Sequence, residues 1–147
     1  MRQPSSQTTD DEPVYRDARE RVNAFLERFA RAVSADLDGL DEGGFTEVRY
    51  GEVVVGINVH ADHGILVFLV RMGELPEQPD PALLRGLLEL NFLATGVCAF
   101  AIDDQRNRLY LRTMRPLEGL SYDEFVSLLQ SVATVAESMR KRLTPPS

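Results

Sequence analysis

The sequence predicts an α+β fold with the element order α-β-β-β-α-β-β-α, an antiparallel sheet packed with helices. Three observations predict it. Apolar residues recur at helical spacing in three separated stretches, and they alternate with a period of two in the runs between. Gly, Pro, Asn and Asp cluster where the period changes. No apolar run approaches the roughly 20 residues of a membrane helix, so these 147 residues are expected to share one ordinary core.

The first helical stretch opens at Pro13, with Asp11 or Glu12 as its cap. Ala18, Val22, Phe25, Phe29 and Val33 form its apolar stripe, widened by Leu26 and Leu37. Asp38-Gly39 and Gly43-Gly44 mark its end. Phe45 to Tyr50 reads as a short, polar edge strand. Beyond Gly51, Val53, Val55, Ile57 and Val59 share one face of a second strand, and Val54, Gly56, Asn58 and His60 the other. Ala61-Asp62-His63-Gly64 is a turn. The run ILVFLV that follows is apolar on both faces, which asks for cover on two sides, from helices or from a second subunit.

Asp80-Pro81 is a cap with a proline in the first helical position. The helix it opens, ALLRGLLELNFLA, is apolar around most of its circumference. So wide a surface needs two covers, its own sheet and a partner, so the sequence predicts a homodimer with this helix at the interface. The expected interface residues are Leu84, Leu88, Asn91, Phe92, Val97 and Cys98. Asn91 either bonds across that interface or caps the end of its own helix. Cys98, the only cysteine, reads as a small buried hydrophobe that faces its twin if its strand crosses the dimer axis.

VCAFAID and RLYLRTM form a hairpin around Asp104 to Asn107, and Pro116 blocks further pairing. The last helix has a full start signal. Ser121 and Glu124 form a capping box, with Leu120 and Phe125 as the matching hydrophobic staple. Phe125, Leu128, Leu129, Val132, Ala136 and Met139 are its buried stripe. Arg140, Lys141 and Arg142 suit its C-terminal dipole. Residues 1–12 are expected to form a disordered tail, 13–143 a single domain and 144–147 a C-terminal tail.

Element order, size and acidity, together with three stretches, resemble the type III secretion chaperone-like superfamily, which includes the CesT-type (Tir) chaperones and the YbjN-type proteins. The stretches are the leucine pattern from Leu83 to Gly96, the hairpin FAID..RNRLYLR, and the R-P-L-E-G-L-S-x-x-E lead-in to the last helix, Arg115 to Glu124. The resemblance is best over the last 65 or so residues and rests on element order before that. It implies a homodimer in which the middle helix and neighbouring hairpin strand pack on their mates. It also implies client capture on the sheet and first-helix surfaces, without ATP and without catalysis.

Candidate chemistry is sparse. His60, Asp62 and His63 have the donor types for zinc, but turn usage already explains them, and no metal, cofactor or catalytic residue is expected. Arg108, Tyr110, Arg112 and Met114 share one strand face. That face suits an extended client peptide, or single-stranded nucleic acid along Arg108 to Arg115, or plain solvent. The net charge of −7 disfavours direct nucleic-acid binding and favours a basic or partly disordered client, one that is itself associated with nucleic acid included. The N-terminus lacks the apolar core of a secretory signal, so the expected placement is cytoplasmic, away from membranes.

The capping box yields a first prediction. Ser121→Ala should lower unfolding stability by about 1 kcal/mol in urea titration. No loss would mean that Ser121 is not the cap.

Overall fold

The computed structural model describes residues 17–143. Its elements are α1 (Ala18–Val33), β1 (Phe45–Tyr50), β2 (Val53–His60), a single 3-10 turn (Ala61–His63), β3 (Ile65–Glu74), α2 (Pro81–Leu93), β4 (Ala99–Asp103), β5 (Arg108–Pro116) and α3 (Tyr122–Leu143). The expected order is the observed one. The five strands form one antiparallel sheet in the order β1-β2-β3-β5-β4.

The period of two in the sequence becomes a two-faced sheet. Val53, Val55, Ile57 and Val59 lie on the same face as Leu66, Phe68 and Val70 of β3 and Leu109, Leu111 and Thr113 of β5, and all are buried. Helices α1 and α3 cover this face. Phe125 of α3 lies 5.7 Å from the Phe68 ring and 5.6 Å from that of Phe25 in α1, and Phe29 stacks on Tyr50. Rings at these separations add specific geometry to the area they bury.

Helix α1 differs from expectation at its C-terminal end. Asp17 has extended backbone, and its carboxylate accepts from the Glu20 N–H at 2.9 Å, so the described helix starts at Ala18. The expected start at Pro13 and both expected tails lie outside the described residues. The helix stops at Ser34, which takes a left-handed conformation (φ 54°) and returns its N–H to Ala30 and Arg31. Val33 is therefore half exposed rather than part of the stripe. The link to β1 is fixed instead by side chains. Arg19 donates to the carbonyls of Asp41 and Glu42, and Asn23 accepts from the Leu40 N–H.

The lead-in to α3 is as read. Ser121 Oγ accepts from the Glu124 N–H at 3.1 Å, and Glu124 accepts from the Ser121 N–H at 3.2 Å. Arg115 donates to both oxygens of the Glu124 carboxylate, at 2.9 and 3.1 Å. Those bonds from Arg115, with the Ser121 N–H, hold this carboxyl below its ordinary range. Its contribution is present above the normal carboxylate pKa and is lost as pH falls through the lowered value.

Gly44 is fixed by sterics. It sits at φ 83°, and a Cβ there would meet the Val59 carbonyl oxygen at 2.7 Å. Its own carbonyl accepts from the Val59 N–H at 2.8 Å, closing the β1–β2 hairpin from outside. Gly44→Ala should destabilise the chain by about 1 kcal/mol or more, since both conformation and contact oppose it. A thermal midpoint equal to the parent's would contradict this.

Candidate functional site

Helix α2 lies beside β4 rather than on the main core. Its amphipathic stripe is narrow on the inner side, where Leu87 is buried and Leu84 and Leu90 are half-buried. The other apolar residues face outward. Leu88 is 70% exposed, Phe92 83%, Leu93 79% and Val97 65%. Leu88 and Phe92 are one helical turn apart, so they stand together on the surface. Leu93, counted in the apolar surplus of the helix but not among the expected interface residues, is exposed as well.

Asn91 takes neither role expected of it. Its Oδ1 accepts from the Phe100 N–H at 2.7 Å, and its Nδ2 donates to the Phe100 carbonyl at 3.4 Å. The carboxamide thus occupies an outward-facing pair of backbone groups on β4, as another strand would. Cys98 is likewise turned inward. It is 4% exposed and belongs to the core of its own chain, so it offers no side chain to a twin. Burial pushes its thiol up to about 11. Thr95, fully buried, donates from Oγ1 to the Cys98 carbonyl and fixes the turn between α2 and β4.

Among the described residues, the second face of the sheet carries no comparable layer of helix. Ile65, Val67 and Leu69 of β3 lie on it, opposite Pro116, Met114 and Arg112 of β5. The double cover expected for β3 is thus supplied on one side only. On the other, Val67 is shielded by its neighbours, while Ile65 and Leu69 stay half-exposed. Arg108, Tyr110, Arg112 and Met114 do share this face, beside Ala99 and Ala101 of β4. Their chemistry differs from residue to residue. Arg108 is paired with Glu74 at 3.0 Å. Arg112 has no ion pair among the described residues. Arg115 lies on the opposite face, against Glu124, because an odd step from Arg108 reverses the side of the sheet.

His60 at the end of β2 and Asp62 and His63 in the 3-10 turn are all exposed, and among the described residues no group of three His, Cys, Asp or Glu could hold a metal ion. No described helix is long and apolar enough to cross a membrane.

This five-stranded antiparallel sheet with two helices on one side and a third at its edge is a fold shared with solved type III secretion chaperones. The chain matches the model of the Tir chaperone protein (CesT) family over residues 24–140 and belongs to that family. Among solved structures, the ExsC–ExsE complex aligns with a TM-score of 0.74 and 21% identity, covering 89% of this chain and 99% of that one. The Yersinia pestis type III secretion chaperone SycH, solved with a stable fragment of YscM2, aligns at 0.57 and 23% identity over 79% of this chain and 97% of its own. YbjN from E. coli aligns at 0.57 and 14% identity over 84% of this chain and 95% of its own. At these identities the likeness is one of fold. No curated protein matches the chain.

The buried thiol gives a prediction. With its pKa raised from 9.0 to about 11, Cys98 should react with a thiol reagent near pH 8 about a hundredfold more slowly in the native protein than in urea. Equal rates would place Cys98 at the surface.

Proposed function

We propose that this protein is a homodimeric, non-catalytic chaperone that holds a segment of a client protein, its working domain spanning residues 13–143. The observation that carries the dimer is the exposed cluster Leu88, Phe92, Leu93 and Val97. Covering each such side chain contributes roughly 1.5–3 kcal/mol, and four large apolar side chains exposed within ten residues call for a cover. A second α2 laid across the first is the simplest one. The two faces are then identical, so the contact closes on itself at two subunits. Leu84 completes the contact from the half-buried side of the helix. Asn91 and Cys98 support it from within their own chain, by fixing β4.

The client surface is the open sheet face. Tyr110, Arg112 and Met114 supply an aromatic, a charge and a flexible apolar side chain in one strip, which suits an extended segment. Family membership supports a client-binding role, and the ExsC–ExsE and SycH–YscM2 complexes show this fold engaged with other proteins. The net charge of −7 favours a basic or partly disordered segment, in a nucleic-acid-associated protein or elsewhere, and the setting proposed is the cytoplasm. Nucleic acid itself has less support. Arg108 is neutralised by Glu74 and Arg115 faces the other way, leaving Arg112 alone where a phosphate track needs several cations.

Light scattering should find the parent protein dimeric at micromolar concentration. Leu88→Glu with Phe92→Glu should give a monomer with unchanged circular dichroism, since both side chains lie outside the core. A monomeric parent removes the dimer. Arg112→Glu should leave the dimer intact and lose a client that co-purifies with the parent from native lysate at stoichiometric level. Retention of that client by the variant removes the open face as its seat.

A further inference from the structure

On the far side of the molecule from these surfaces, α1 and the start of α3 enclose a groove of about 770 Å³. Phe25 and Leu120, both buried, form its floor. Arg21, Arg28 and Arg31 line one wall, and Ser121, Tyr122 and Asp123 the other. The guanidinium of Arg28 lies 4.0 Å from the centre of the Tyr122 ring, and Arg21 donates to the Leu117 carbonyl at 2.7 Å. Both heads are thereby held in place. The guanidinium of Arg31 makes no hydrogen bond or ion pair among the described residues. In a chain of net charge −7, three guanidiniums against Glu27 and Asp123 make this a locally positive lining.

We infer that the groove seats the acidic stretch Asp10-Asp11-Glu12 of the same chain, a built-in competitor for whatever else uses the first-helix surface. Three adjacent carboxylates meet three guanidiniums. The tether fits as well. Asp17 caps α1, and the five to seven residues back to the acidic stretch reach at most about 17–25 Å. Arg28 and Arg31 lie eleven and fourteen residues along the helix from Asp17, which is about 17 and 21 Å. A segment on so short a tether also has an effective concentration in the millimolar range, so individually weak charge pairs suffice to populate the contact. A client segment that takes the groove must displace this stretch, and so must itself be acidic or apolar there. That requirement is opposite in sign to the one proposed for the open sheet face.

The full chain allows a direct test. Because Cys98 is buried with a suppressed thiol, a nitroxide can be placed on Ser6→Cys alone. Amide signals of Gly119 to Asp123 should lose about twofold or more of their intensity at low salt and recover it at high salt, where exposed pairs are screened within roughly 3–10 Å. Signals of Lys141 and Arg142, about 27 Å from Asp123 at the other end of α3, should not change. Arg28→Glu with Arg31→Glu should abolish the loss, and adding Asp10→Lys, Asp11→Lys and Glu12→Lys should restore it. Circular dichroism checks that each variant folds, and the salt arm needs no variant. An absence of broadening would leave the groove to an external partner and overturn the inference. Broadening that appears only when labelled and unlabelled copies are mixed would assign the seat to a second copy, and would overturn it too.

Discussion

Three phenylalanine rings, Phe25, Phe125 and Phe68, tie the first helix, the last helix and the central strand into one contact. The rest of the fold depends on that junction. It commits α1 and α3 to the same side of the sheet, which uses up the buried face of β2, β3 and β5. The other face and the middle helix are then left for work outside the core. Strand alternation makes this division possible, since one residue's shift would exchange the faces entirely.

Much of this was legible. Spacing alone distinguishes the helices from the strands, the β2 alternation names its own buried residues, and the capping box at Ser121 fixes the start of α3 to the residue. What was not legible follows a common cause. The order β1-β2-β3-β5-β4 requires β3 to pair with a strand more than thirty residues away, and no local pattern records a partner at that distance. The cap at Asp17 went unread although its signal, an acidic residue with Glu20 three positions later, stands in the sequence.

The site was legible in kind and less so in detail. The excess of leucine in α2 announces a surface that its own chain does not cover, and the structure leaves Leu88, Phe92 and Leu93 outside. The hydrogen bonds of Asn91 and Cys98 were hidden, because they involve backbone groups whose positions only the folded chain defines. Counting along β5 likewise makes Arg115 look like part of the Arg108 strip until parity is applied. Its role is at the other end of the argument from charge to contact, as the brace of the Glu124 carboxylate.

The carboxamide of Asn91 has a consequence for how copies of this protein can assemble. An unblocked outer strand is a template on which sheets grow without limit, chain after chain. Here the Phe100 position near the start of β4 is already filled from within, by a side chain on the very helix that leaves Leu88, Phe92 and Leu93 bare. Stickiness and restraint therefore reside in the same thirteen residues. The helix thus offers apolar side chains on its outer side while its own carboxamide takes one rung of the ladder by which a further strand would dock on β4.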